Sequence, residues 1–172
     1  FGCGNHKFLP LTEQGGHPTW SAGAVPPALQ GKRKRESMKR VTIRVPATTA
    51  NLGPGFDAFG CALSLYTDVT FEESEYGLEI TGCPEEFTGP DNLAYVSYCA
   101  VMATMCEEVR GVKIHIDAHI PVCRGLGSSA ALLVAGAMGA NVLHGNKLST
   151  QGLLNITNAM EGHPDNLAPA FF

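Results

Sequence analysis

No apolar run in the 172-residue sequence approaches the roughly 20 residues that span a bilayer. The first residues also lack the apolar core of a secretory signal. A membrane protein is not expected, and the cytoplasm is the default location. The six cysteines, Cys3, Cys61, Cys83, Cys99, Cys106 and Cys123, include no Cys-x-x-Cys pair, so neither a zinc site nor a disulfide frame is suggested. Several stand in apolar stretches where a small buried thiol fits. Basic charge is scarce where a nucleic-acid partner would need it. Of 12 basic and 16 acidic residues, five and two fall in residues 1–37, which leaves 7 against 14 and a net −7 for the remaining 135. So acidic a body is a poor surface for nucleic acid. What is present, with 44% hydrophobic and 16% charged residues, is enough for one globular core.

Residues 1–37 show neither helical nor strand periodicity, are broken by Gly and Pro, and contain the single tryptophan. They read as a disordered leader. The purine-rich codons implied by Gly-Lys-Arg-Lys-Arg-Glu just before Met38 fit an upstream ribosome-binding site translated by an over-long gene reading, with Met38 the natural start. A basic patch for nuclear import or nucleic acid is the other reading of the same residues. From Met38, Val41, Ile43 and Val45 alternate with polar residues as in a half-buried strand. Residues 62–73 and 76–82 look like two further strands. Asp91 is expected to cap a helix from about Asn92 to Val109, with Leu93, Val96, Ala100, Ala103 and Cys106 on one face. Val112–Ile120 alternates strictly as a strand closed by Pro121. His115, Asp117 and His119 lie on its polar side, where solvation rather than metal binding is expected. Helices follow at about Ser128–His144 and Thr150–Glu161, and a further capped start lies in His163–Phe172. Strands first and then mostly helices favour an α+β fold over a doubly wound one.

Pro121, Val122, Cys123, Arg124, Gly125, Leu126, Gly127, Ser128, Ser129, Ala130 and Ala131 form a glycine-bearing turn that opens an apolar helix. A helix start exposes unpaired N–H groups and partial positive charge, and glycines let a ligand approach the backbone. An anion, most often phosphate, is the expected guest. Ser128 and Ser129 can cap the helix, bond phosphate oxygens or ligate a hard cation such as Mg²⁺. A Walker loop is excluded, because no lysine follows these glycines. A dinucleotide fingerprint fits poorly, because the preceding strand is half polar and no acid stands about 20 residues on. Small residues that merely permit close packing are the alternative.

The stretch Pro121–Ala131 resembles the ATP-binding motif P-x-x-x-G-L-G-S-S-A-A of the GHMP kinases. Two more, Val45–Leu63 and Glu161–Phe172, resemble the homoserine kinases within that superfamily. The resemblance covers Met38–Phe172. It implies a ribosomal protein S5 domain 2-like N-terminal domain, with a ferredoxin-like C-terminal domain absent from this chain, so the 38–172 portion alone is expected to be inactive. It further implies transfer of phosphate from ATP, with Mg²⁺, to L-homoserine on the way to threonine, and a homodimer for the full-length enzyme. By the same resemblance Pro121–Ala131 cradle the nucleotide, Ser129 and Glu161 face the metal, and Asn51, Asp57 and His163 hold the substrate. Asp165, Asn166 and Glu161 are the catalytic candidates. From the residues alone, Asn51 and Asp57 can equally be turn-formers, and Glu161 a solvated acid at a helix end.

Overall fold

The computed structural model describes residues 39–53 and 59–172; the expectations placed on residues 1–37 and on Asp57 lie outside them. Four strands, β1 (Arg40–Thr49), β2 (Cys61–Glu73), β3 (Gly77–Thr81) and β4 (Gly111–Ala118), form one sheet in the order β1-β2-β4-β3. The pairs β1/β2 and β2/β4 are antiparallel, and β3/β4 is parallel. A parallel pair needs a crossover. It is made by a single 3₁₀ turn at Glu85–Phe87 and helix α1 (Leu93–Thr104). After β4 come α2 (Ser128–Leu143), α3 (Thr150–Glu161) and the short α4 (Leu167–Phe171). This is the α+β architecture expected.

Alternation decides the two faces of the sheet. Ile43, Val45, Val69, Phe71, Val112, Ile114 and Ile116 are buried under the helices. The opposite face carries cross-strand pairs of the kind that stabilise a solvated sheet. Arg44 forks onto Asp68 with bonds of 2.8 and 2.7 Å, Lys113 meets Glu79 at 2.9 Å, and Thr81 meets His115 Nδ1 at 2.9 Å. The hydrogen bond from the Arg44 guanidinium holds the Asp68 carboxyl below its ordinary range. His119 lies 3.5 Å from Asp117.

Helix α2 runs through the centre of the core, with eleven of its residues buried. Small residues let it lie deep. A Cβ on Gly136 would run into the carbonyl of Ala94 in α1, and one on Gly139 would stand 2.5 Å from the Phe71 ring. Phe71 in turn stacks on Tyr98 of α1 at 5.7 Å between centroids.

Four expectations are corrected. The buried face of α1 is Ala94, Ser97, Tyr98, Val101 and Met102, whereas Leu93, Val96, Ala103 and Cys106 are exposed and Ala100 is half-buried. The larger side chains Tyr98 and Met102 win the core, and the Ser97 hydroxyl joins them by donating to the Leu133 carbonyl at 2.6 Å. The α1 cap is Asn92, which accepts from the Ala94 amide at 2.9 Å, and not Asp91. The helix also ends at Thr104 rather than near Val109, because Cys106 takes up a positive φ of 57° and turns the chain. Finally, none of the described cysteines is buried. Cys61, Cys106 and Cys123 are exposed, Cys83 and Cys99 are half-buried, and all five are free thiols.

Candidate active site at the mouth of helix α2

The chain leaves β4 at Ala118, buries Ile120, and then crosses an exposed stretch from Pro121 to Gly125. Three residues there hold positive φ: Cys123 at 57°, Gly125 at 68° and Gly127 at 67°. Gly127, not a serine, is the N-cap of α2, and no side chain bonds to the helix start. The expected cap by Ser128 or Ser129 is therefore not made; both are half-buried members of the first turn. The first intrahelical bond is Ala131 N–H to Gly127 C=O at 2.8 Å. The amides of Ser128, Ser129 and Ala130 precede it at the positive end of the helix dipole, with no intrahelical acceptor.

The floor of this mouth is the end of β1. A register shift between Pro46 and Ala47 breaks the alternation, so that Ala47 and Thr48 are both buried. Pro46 is tolerated because β1 is an edge strand. The Thr48 N–H donates to the Leu126 carbonyl at 3.1 Å, clipping the loop to the strand. Gly127 lies directly over Thr48, and a Cβ there would run into its hydroxyl. Asn51, exposed just past the strand, has its Nδ2 3.7 Å from where a Gly125 Cβ would be.

The far wall is the segment after α3. Glu161 is the last residue of α3, and its Oε2 accepts from the Ser129 hydroxyl at 3.0 Å. It is half-buried and paired rather than a free solvated acid. Gly162, at φ 86°, ends the helix by donating its N–H to the Asn158 carbonyl at 2.9 Å, and the chain returns toward β1. Asn166 then accepts from the Thr48 hydroxyl at 3.0 Å, and its Nδ2 stands 3.4 Å from Asp165 Oδ2. A Cβ on Gly60 would stand 2.5 Å from the Asp165 carbonyl, so the start of β2 also abuts this turn. His163 is exposed and makes no hydrogen bond among the described residues.

The structure thus brings Asn51, Gly125–Ser129, Glu161, Asp165 and Asn166 to one place from three separate parts of the chain. Thr48 belongs with them and was not among the expected site residues. Strand alternation puts it on the solvated face, and only the shift at Pro46/Ala47 and the return of Asn166 bury it. Two hollows in the described surface lie elsewhere. One is on the polar sheet face beside Arg40, Glu79, Lys113 and His115, and the other is between α2 and α3 beside Met138, Val142 and Leu153. Neither gathers catalytic groups, and the mouth of α2 is an open shelf bordered by exposed residues on both sides.

Residues 92–172 match the family described as the GHMP kinases N terminal domain. Over 133 residues the chain is 49% identical to a homoserine kinase of Clostridium beijerinckii, an alignment covering 76% of this chain and 44% of that protein. Over 135 residues it is 45% identical to a homoserine kinase of Clostridium botulinum, covering 77% and 45%. The chain therefore spans less than half the length of these curated relatives. Among solved structures, a homoserine kinase of Cytophaga hutchinsonii superposes with a TM-score of 0.68 at 31% identity, covering 77% of this chain and 46% of that one. A mevalonate kinase of Methanococcus jannaschii shares the fold, with a TM-score of 0.63 at 15% identity and coverage of 80% and 52%. The glycine turn and the helix it opens both fall within residues 92–172, the part of the chain that matches the N-terminal domain of the GHMP kinases.

Proposed function

We propose that the chain carries the phosphate-binding half of a homoserine kinase, which moves the terminal phosphoryl group of ATP to the hydroxyl of L-homoserine and leaves ADP and O-phospho-L-homoserine. The observation that carries this reading is the Ser129–Glu161 pair at 3.0 Å beside the uncapped start of α2. An alcohol and a carboxylate flank amides with no intrahelical acceptor, which is an arrangement for a polyphosphate and its counter-ion rather than for packing alone. Phosphoryl transfer is mostly positioning and charge neutralisation. The backbone of Gly125–Ser129 would hold phosphate oxygens, with the rest of Pro121–Ala131 shaping the turn.

Mg²⁺ fits the donor set. Ser129 and Glu161 offer two hard oxygen donors, and no group of three His, Cys, Asp or Glu among the described residues could cage an ion by itself. That is the usual situation for Mg²⁺, which keeps water and phosphate oxygens in its shell. When bound there it would neutralise charge on the transferring group. Asn51, Asp57 and His163 are assigned to the amino alcohol, in keeping with the place of Asn51 beside Gly125. Asn166 orients the attacking hydroxyl. Asp165 is assigned to take its proton as the new oxygen–phosphorus bond forms and the bond to ADP breaks. Direct passage of that proton to the phosphoryl oxygens is the alternative, and Asp165→Asn distinguishes the two.

A place in threonine formation, a location in the cytoplasm and a homodimer complete the reading; no helix among the described residues is long and apolar enough to cross a membrane. The test is ADP release by this chain extended with the C-terminal half of the Clostridium beijerinckii relative, offered homoserine or mevalonate. Turnover with homoserine alone is expected, and turnover with mevalonate instead overturns the assignment.

A further inference from the structure

We propose that Thr48 is a positioning residue of this site, whose hydroxyl holds the Asn166 amide in the orientation that the Asp165 carboxylate selects, with its nitrogen toward Asp165 beside the mouth of α2. Thr48 is fully buried, at 0% exposure, so its hydroxyl requires a partner inside the protein. Its side-chain partner among the described residues is Asn166 Oδ1, 3.0 Å away and 118 positions along the chain. A hydroxyl can donate to an amide oxygen or accept from an amide nitrogen, so this contact alone does not orient the Asn166 head group. The neighbouring carboxylate does. Asn166 Nδ2 lies 3.4 Å from Asp165 Oδ2, and rotating the amide by half a turn would set two acceptor oxygens against each other.

The bonds therefore run in one direction, with Thr48 O–H donating to Asn166 C=O and Asn166 N–H₂ directed to the Asp165 carboxylate. In that arrangement Thr48 supplies the donor that keeps Oδ1 turned inward. The pair also lies against the last residue before α2. A Cβ on Gly127 would run into the Thr48 hydroxyl and stand 3.4 Å from Asn166 Oδ1. What the oriented amide then meets, the substrate hydroxyl, rests on the function proposed above; the orientation itself does not.

Two variants and two readouts test this. In the 172-residue chain, the side-chain amide protons of Asn166 are followed by NMR exchange with water, beside the backbone amide spectrum. In the chain extended with the Clostridium beijerinckii C-terminal half, kcat and KM are measured with ATP and homoserine. Thr48→Val, which keeps the shape and removes the donor, is expected to speed Asn166 side-chain exchange with the rest of the spectrum unchanged. It should lower kcat by about 10- to 100-fold, the usual cost of a slightly misplaced group, with little change in KM for ATP. Thr48→Ser, which keeps the donor, is expected to restore both readouts. Wild-type exchange and kcat in Thr48→Val overturn the proposal. So does equal loss in Thr48→Ser with a disturbed backbone spectrum, which would make the role one of packing. If the extended chain phosphorylates mevalonate and not homoserine, the functional reading fails while the exchange measurement still decides the role of Thr48.

Discussion

The Ser129 hydroxyl and the Glu161 carboxylate, 32 positions apart in sequence, meet at 3.0 Å where the start of α2 faces the end of α3. The contact uses one carboxylate oxygen and leaves the other for a ligand. Glu161→Gln in the extended chain is expected to keep the fold and to reduce phosphoryl transfer by about 100-fold, the scale seen when one preorganised charge-stabilising group is lost. Ser129→Ala should act in the same direction. The check is ADP release across a Mg²⁺ titration, in which Glu161→Gln needs more metal to reach half its maximal rate.

Gly125 and Gly127 have nearly the same φ, 68° and 67°, but different surroundings. A Cβ on Gly125 meets only Asn51 Nδ2 at an ordinary 3.7 Å, whereas one on Gly127 runs into the buried Thr48 hydroxyl. Gly125→Ala should therefore cost only the left-handed backbone penalty, about 1–2 kcal/mol. Gly127→Ala should cost that and a further penalty for crowding, about 1–3 kcal/mol. Urea denaturation of both variants measures the difference, and equal losses would contradict the placement of Thr48.

Tyr98 and His144 join α1 to the C-terminal end of α2, hydroxyl to Nε2 at 3.0 Å. Burial raises the Tyr98 hydroxyl pKa, so it stays protonated and donates, and His144 accepts in its neutral form. Burial also pushes the His144 imidazole below its ordinary value of 6.5, against the pull of Glu73 and Glu107 and with Lys39 and Lys147 opposing protonation. The unfolded chain therefore binds a proton near pH 6.5 that the folded chain refuses. The stability His144 contributes is complete above that pH and falls as pH drops through 6.5 toward the lowered folded value. Unfolding midpoints from pH 8 down to 5.5 should decline in the wild type and flatten in His144→Gln. Tyr98→Phe should lose about 1 kcal/mol at neutral pH.

The two faces of α1 make opposite predictions. Met102 is 1% exposed and Val96 is 37% exposed. Met102→Ala should cost about 2–5 kcal/mol, whereas Val96→Lys should stay within about 0.5 kcal/mol. Thermal unfolding of the two variants tells which face holds the core.

That face shows where reading the sequence stops. The strands were legible because Val41, Ile43 and Val45, and later Val112, Ile114 and Ile116, alternate with polar residues that remain in solvent. The glycine turn was legible because Gly125 and Gly127 precede a long apolar run. Helix α1 misled because it is apolar nearly all round, so its period does not choose a side. The choice is made by Phe71, which stacks on Tyr98, and by Gly136, which admits the Ala94 backbone; both lie far away in the chain. The Asn92 cap was missed in favour of its neighbour Asp91, since either residue type serves and only the local turn decides. Glu161 could be named from its motif, but not its bond to Ser129. Thr48 gave no signal of its own, because its burial depends on a strand irregularity and on a partner 118 residues away.

The clip between the Thr48 N–H and the Leu126 carbonyl has a consequence for the direction of the neighbouring dipole. In a planar trans peptide the oxygen and the hydrogen point opposite ways. With the Leu126 oxygen drawn down onto β1, the N–H of Gly127 in the same plane is turned up and away from the sheet. The strand thus aims a donor outward without any side chain touching it. A one-residue slip of β1 would swing that plane and blunt the site, even if every loop residue kept its identity.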